Sequence, residues 1–424
     1  MRDIIEKIAK TPSSPFVYLP SKTLIQELLI DSQINNLTVV DDEFALYARV
    51  YRGSPRYKFI VVSHLDHPGI VLKNKFQGIP FGSVGYERIS SYLHRKKKIQ
   101  IRIFDPEGKY IGLGFITGLS LRRNSPFVKI DTPYHVPKNS HGLWDIPDYS
   151  IENDIIKMQN ADNGAVTAVA IQLLRDINTI EDIDLQVIFT YVEEVHQISS
   201  TAIAYQGKTP FYPLDESVYV INLEAMESEI DSSDFPIIKK LKLHKPNYED
   251  GFLLKINDGG VIYGNTKINH LESWVQEIAS TNGLNFQYTI SKGSTDAKSF
   301  SFFTNIPNII TLAAPCKWKH NIGQNGEFVQ EEVYEIDLNN ILMVIKNILI
   351  SSPPKNNIVS LTKRLNEIKY GDTIETTRKI KKQRIRIMLA AQPRLKSGGY
   401  YSKTFLEFIR INLRRATSKF SIID

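Results

Sequence analysis

A single cysteine, Cys316, stands in a chain of 424 residues. That scarcity excludes an intrachain disulfide framework and any cysteine-rich zinc module. Long apolar runs are missing as well, since none reaches the roughly 18–20 residues a bilayer span needs. The opening MRDIIEKIAK lacks the apolar stretch of a secretory signal, so the expected location is a reducing cytoplasm. There is no internal repeat and no low-complexity tract. What remains is 42% apolar and 23% charged, which suits a large core in about two folding units. Disordered, collagen-like and coiled-coil classes are excluded for the chain as a whole.

Charge is unevenly placed. From Pro353 to Asp424 there are 17 Lys and Arg against 5 Asp and Glu, a net of +12. The preceding 352 residues carry 35 against 41, a net of −6. The overall +6 therefore describes a basic tail on an acidic body.

Four short apolar runs read as buried strands: Phe59–Ser63, Leu185–Tyr191, Val218–Leu223 and Asn308–Ala313. They do not alternate with polar residues, as expected of parallel strands covered on both faces. Helix-like stretches lie between them at Gly164–Arg175, Lys267–Thr281 and Asp337–Ile350. The expected fold class is α/β, an open mixed and mostly parallel sheet with helices on both faces. Short alternating runs such as Lys98–Phe104 and Phe127–Asp131, parted by turn signals, point instead to a small inserted all-β domain. The expected division is an α/β domain in two parts, residues 1–70 and 158–352, an insertion at 71–157, and a basic, helical C-terminal extension at 353–424.

The informative residues stand at the exits of the apolar runs. The first run leads into His64, the second into Glu193 and Glu194, the third into Glu224, and His320 comes shortly after the fourth. Asp162 sits just before a helix in NADNG. In open α/β sheets, ligands bind beyond the carboxyl ends of the strands. The fold thus gathers two histidines and four carboxylates at one rim. Imidazole and carboxylate suit zinc or a similar divalent ion without any thiolate. A metal pair about 3.5–4 Å apart needs one bridging carboxylate and about two terminal ligands each. Five of the six residues supply that, and one of the adjacent glutamates is left as a general base. Singly, a histidine after a strand or a glutamate pair is a structural or solvated feature; their ordered placement at successive strand exits argues for a site.

At these residues the chain resembles the dinuclear-zinc aminopeptidase family that includes glutamyl and tetrahedral aminopeptidases. The motifs are SHLDHPG at Ser63–Gly69, GLWDIP at Gly142–Pro147, NADNGA at Asn160–Ala165, FTYVEEV at Phe189–Val195, KGSTDAKSF at Lys292–Phe300 and KHN at Lys319–Asn321. The resemblance runs from about Leu24 to Ile350, and it includes an inserted β-domain where that family has one. It implies a metallo-aminopeptidase with two divalent ions per chain, zinc first and cobalt or manganese as alternatives. It further implies Asp162 as the bridge, His64 and Glu224 completing one metal position, and Glu194 and His320 completing the other. Glu193 would be the general base, and Asp66 a catalytic residue that hydrogen-bonds His64 and fixes its tautomer.

The sequence departs from the family in four places. Glu224 stands where Asp is usual, and His67 where an acidic residue is usual. An arginine common near Gly164 is missing, and Val195-His196-Gln197 replaces a glycine-rich continuation. His67, His196, Ser294 and Asp296 are candidate substrate-binding groups, with structural roles as the alternative. Cys316 reads as a buried, inert thiol.

The implied partners are a peptide substrate and copies of the chain itself, since family members often form cage-like homo-oligomers. The extension, including a basic amphipathic stretch at Lys403–Phe420, could bind nucleic acid or an acidic partner, or pack on the acidic body. Two other readings remain open: a related metal-dependent amidohydrolase of deacylase or carboxypeptidase type, and a non-catalytic scaffold whose tail binds nucleic acid.

Overall fold

The computed structural model describes residues 1–82, 86–122, 125–227, 246–258, 261–265, 269–290, 293–354 and 361–367. Its strands, in chain order, begin with β1 (Leu37–Asp41), β2 (Ala45–Arg52) and β3 (Lys58–His64). Then come β4 (Gly69–Asn74), β5 (Gln77–Phe81), β6 (Ile99–Phe104), β7 (Tyr110–Arg122), β8 (Ser125–Asp131) and β9 (Ser140–Trp144). The hairpin β10 (Tyr149–Glu152) and β11 (Ile155–Met158) precedes β12 (Ile183–Thr190) and β13 (Val218–Met226). Last are β14 (Phe252–Lys255), the short pair β15 (Asn257–Asp258) and β16 (Val261–Ile262), β17 (Phe286–Thr289), β18 (Asn308–Lys317) and β19 (Glu331–Tyr334).

An 11-stranded sheet forms the frame, with the path β1-β2-β12-β3-β13-β18-β19-β11-β10. Its centre is the parallel set β12-β3-β13-β18, each strand drawn from one of the four apolar runs. Because these four run the same way, their carboxyl ends share one rim. β2 and β19 flank the set antiparallel, which makes the sheet mixed. All of β12 is buried, as are β13 and β18 apart from one half-buried residue each. Strands sealed on both faces cannot alternate, and this is why Val, Ile, Leu and Phe run on consecutively.

Two groups of helices seal them. Ala161–Asp176 packs on β3 and β13, joined by Glu335–Ile350 and His270–Asn282; Asp296–Phe303 packs on β3, β13 and β18 together with Ile198–Gln206. Ala161–Asp176 is buried at nearly every position through Leu174, so its composition is small and apolar all round rather than striped.

The inserted segment closes into a six-stranded barrel, β4-β5-β8-β7-β6-β9. It has its own core, including Ile70, Leu72, Ile101, Ile103, Ile116, Val128 and Trp144. Two details differ from the sequence reading. A helix, Tyr86–Lys96, packs on this otherwise all-β unit. The hairpin β10-β11 leaves the barrel and pairs with β19 in the main sheet, Ile156 opposite Val333. Hydrogen bonds free on the edge of β19 decide that, although the hairpin is contiguous with the barrel in sequence.

Of the basic extension, the described residues include the helix Leu361–Glu367. Leu361 and Leu365 are buried in the main core, and the Glu272 carboxylate accepts the main-chain N–H groups of Leu361 and Thr362. The extension thus starts by packing on the body. The amphipathic stretch Lys403–Phe420 lies outside the described residues. No described helix is long and apolar enough to cross a membrane.

Candidate metal and catalytic centre

Each strand end presents its residue to the same rim. His64 is the last residue of β3, and Glu224 lies near the end of β13. Glu193 and Glu194 come just after β12, and His320 comes after β18 in a short turn, Lys319–Asn321. Asp162 comes from the entrance of the helix Ala161–Asp176, where its backbone is not helical and therefore turns the side chain to the rim.

The donor atoms converge. His64 Nε2 is 3.4 Å from Asp162 Oδ1 and 3.6 Å from Glu224 Oε1. His320 Nε2 is 3.2 Å from both Asp162 Oδ2 and Glu194 Oε1. Two triads result, His64–Asp162–Glu224 and Asp162–Glu194–His320, and within each the ligand atoms lie within 4.8 Å of one another. Asp162 belongs to both. A third grouping, His64–Glu193–Glu194, overlaps them.

Among the described residues, buried His64 Nε2, Asp162 Oδ1 and Glu224 Oε2 have no well-formed hydrogen bond. Leaving such atoms bare is costly, unless their role is to coordinate. With nitrogen and oxygen donors only, the set fits one or more divalent ions of the zinc type. Cys316 is buried and takes no part; burial, foremost, pushes its thiol well up.

The electrostatics are those of a cage built for positive charge. Burial acts to raise the Asp162 carboxyl, but Lys319 foremost, then His320 and His64, hold it well below its usual range. Burial likewise opposes ionisation of Glu194, and His320 overcomes it. Both imidazoles are pushed up against burial by their carboxylate neighbours, His320 to about 10. Glu193 goes the other way. Burial, reinforced by the like charges of Glu224, Glu194 and Asp296 and opposed by His64, lifts it well above a normal glutamate. The two adjacent carboxylates are thus shifted in opposite directions.

Asp66 sits beneath the centre. Its carboxylate accepts the main-chain N–H of Glu193 at 2.8 Å and of Glu194 at 3.1 Å. His64 Nδ1 is 2.9 Å from the main-chain oxygen of Asp66 and 3.5 Å from its carboxylate. The nearer acceptor for the imidazole is thus the carbonyl, and the carboxylate chiefly holds the glutamate pair. His67 is buried behind Asp162, its Nδ1 against the Asp162 carbonyl and its Nε2 3.0 Å from Asn321 Oδ1. Asp296 accepts from Thr190 Oγ1 at 2.6 Å, and burial raises it to about 6. The Ser294 carbonyl accepts from Gln197 Nε2 at 3.3 Å, and the same amide donates to Glu193 at 2.9 Å. His196 is exposed on the loop before Ile198–Gln206.

Sequence reasoning missed two residues. Glu331, on β19, accepts the main-chain N–H of Asp162 at 2.8 Å and of His320 at 2.5 Å. One buried carboxylate therefore ties together the backbones of two candidate ligands. His320 needs that support, because its φ of 60° lies in the left-handed region, as do those of nearby Trp318 and Asn321. Lys319 is the second: Nζ is 2.9 Å from Asp162 Oδ2 and 3.4 Å from Glu224 Oε1. It sat in the KHN step without drawing attention.

The sequence model of the M42 glutamyl aminopeptidase family matches residues 142–324. That stretch contains Asp162, Glu193, Glu194, Glu224 and His320, and the match supports a hydrolytic enzyme. Solved structures share the fold. An aminopeptidase of the archaeon Desulfurococcus kamchatkensis is 17% identical, with 84% of this chain and 98% of that chain covered at a TM-score of 0.61. The TET1 peptidase of Pyrococcus horikoshii, which assembles into a tetrahedron or a large octahedral shell, is 17% identical, with 83% and 99% covered at 0.61. A TET aminopeptidase from a marine-sediment Thaumarchaeota archaeon is 13% identical, with 82% and 95% covered at 0.62. At such identities the likeness carries the fold. No curated protein matches the chain. The resemblance to the dinuclear aminopeptidases, read first from motifs, therefore stands on the family match and the shared architecture.

Proposed function

We propose that the chain is a metal-dependent aminopeptidase that hydrolyses N-terminal peptide bonds by a dinuclear, metal-activated water, with Glu193 as general base. The observation that carries this reading is the pair of donor triads sharing Asp162, with Glu193 buried beside them. His64 and Glu224 would complete one ion position, and Glu194 and His320 the other. Zinc is the first choice for both ions, with cobalt and manganese as alternatives. The chemistry such ions supply when bound is Lewis-acid polarisation of the scissile carbonyl and acidification of water.

The chain's own groups do the rest. Glu193, raised by burial, takes the proton of the attacking water and passes it to the leaving amine. Gln197 donates to Glu193 Oε1 and so aims its other oxygen. Asp66 fixes the backbone under Glu193 and Glu194. The surrounding carboxylates attract a cationic amino terminus, which favours cleavage at that end. Ser294, Asp296, His67 and His196 are proposed to shape the substrate side, with His67 acting through the Asp162 main chain.

In this reading residues 1–70 and 158–352, with the hairpin β10-β11 that extends their sheet, form the catalytic unit, the rest of 71–157 the insertion and 353–424 the extension. A homo-oligomer is proposed from the likeness to the assembling TET1 peptidase. An apolar stripe on the helix Glu335–Ile350 supports it, since Ile336, Met343 and Ile350 are 58%, 41% and 65% exposed. A reducing cytoplasm is the proposed setting, in keeping with a lone buried thiol.

The test is a panel of aminoacyl chromogenic substrates with and without chelator, alongside acetylated peptides. Cleavage of free amino termini only, abolished by chelator, is expected. Cleavage of blocked peptides would move the assignment to another amidohydrolase.

A further inference from the structure

We propose that buried Asp258, paired with Lys255, is a positioning residue for the general base, acting through the Ser294–Thr295 peptide and Gln197. The inference rests on the reading of Glu193 as that base and deepens it. Lys255 in β14 and Asp258 in β15 are both fully buried, and their side chains form an ion pair. Neither belongs to the donor triads. The second carboxylate oxygen of Asp258 accepts the main-chain N–H of Thr295 at 2.9 Å and the Thr295 hydroxyl at 2.8 Å.

That N–H shares a peptide group with the Ser294 carbonyl. Peptide groups are planar, and in the trans form their N–H and C=O point in opposite directions. A charged acceptor that fixes the N–H therefore fixes the carbonyl too, and polarises it. On the far side the Ser294 carbonyl accepts from Gln197 Nε2 at 3.3 Å, and the same nitrogen donates to Glu193 Oε1 at 2.9 Å. The two protons of one amide thus join the anchored peptide to the base.

The backbone that carries Gln197 is held as firmly. His196 and Gln197 have φ of 63° and 52°, in the left-handed region, although neither is glycine. Such backbone is costly and persists only where its surroundings impose it. Here Ser199 Oγ accepts the Val192 N–H at 3.0 Å, and the Ser199 N–H returns to the Val192 carbonyl at 3.1 Å. A buried ion pair adds little stability over apolar residues of similar size. What Asp258 adds is an acceptor that an apolar residue lacks, aimed at the peptide that faces Gln197.

The experiment is a double-mutant cycle on aminoacyl chromogenic substrates, with Gln197→Met as one arm and Lys255→Met/Asp258→Ala as the other. The paired change removes the acceptor without stranding the ammonium. Each arm alone should lower kcat roughly 10-fold, with KM and zinc content per chain unchanged. The two arms combined should fall no more than about 2-fold below the weaker single arm, because the effect of Asp258 passes through Gln197. Costs that multiply overturn the proposal, since a merely structural ion pair acts independently of Gln197. A loss that appears in KM or in zinc content overturns it as well. Asp258→Asn, which keeps the side chain's size, replaces the paired change if circular dichroism shows that one unfolded. Glu193→Gln is measured alongside. Full turnover there would sink the reading of Glu193 as base; an inactive Glu193→Gln beside multiplying costs would sink the Asp258 proposal alone.

Discussion

The Asp66 carboxylate accepts the main-chain N–H of Glu193 at 2.8 Å. Its other oxygen takes the N–H of Glu194 at 3.1 Å. One buried side chain thus sets the backbone from which the proposed base and one proposed ligand both project. The role inferred from sequence was to orient His64; the geometry adds the glutamate pair. Asp66→Asn presents an amide N–H to one of two main-chain donors, a mismatch of about 1–3 kcal/mol. The expected result is a fall in kcat of roughly 10- to 100-fold with a near-normal circular dichroism spectrum. An unchanged kcat would contradict it.

Glu331 couples Asp162 to His320 through their main chains. Glu331→Gln puts an N–H against one of those donors and loosens the turn that carries His320. Zinc affinity should drop about 10- to 100-fold, and kcat at saturating zinc should suffer less. Equal zinc binding in variant and wild type would show that the turn holds itself.

Among the described residues, fully buried His141 in β9 has no partner for Nε2, while its Nδ1 faces Ser14 Oγ at 3.0 Å. Burial lowers it from 6.5 to about 3. The folded state therefore binds fewer protons than the unfolded one, and this contribution to stability is full above about pH 6.5 and lost as pH falls towards 3. Urea midpoints of chelated protein at pH 7.5 and pH 5 should differ less for His141→Gln than for wild type. Equal differences would remove His141 from the acid response.

Ile336, Met343 and Ile350 recur every seven residues along the exposed side of Glu335–Ile350. Met343→Lys places a charge in the middle of that stripe. Light scattering behind size exclusion should show a smaller particle than wild type, with the melting temperature of the subunit little changed. An identical mass would put the contact elsewhere.

Much of the candidate site's layout was legible in the sequence. His64, Glu193, Glu194, Glu224 and His320 each come after a run too apolar to be anything but a covered strand, and parallel strands place their ends together. Asp162 was legible from its motif. Glu331 was not: its partners are main-chain N–H groups 169 and 11 residues away, and no side-chain pattern records such a bond. Lys319 carried no signal of its own, because its neighbours Asp162, Glu224 and Glu194 are all supplied by distant elements. The helix Tyr86–Lys96 hid in a segment whose strands alternate around it. The hairpin β10-β11 gave a local signal for pairing within itself, whereas its choice of sheet depends on the free edge of β19.

The central claim is that Glu193 moves the proton while the donor atoms of His64, Asp162, Glu194, Glu224 and His320 hold the metal. Glu193→Gln keeps size and polarity and removes the base. Hydrolysis of aminoacyl chromogenic substrates should fall about 100- to 10,000-fold, with zinc content per chain equal to that of wild type. Undiminished turnover in a zinc-loaded Glu193→Gln protein would contradict the account.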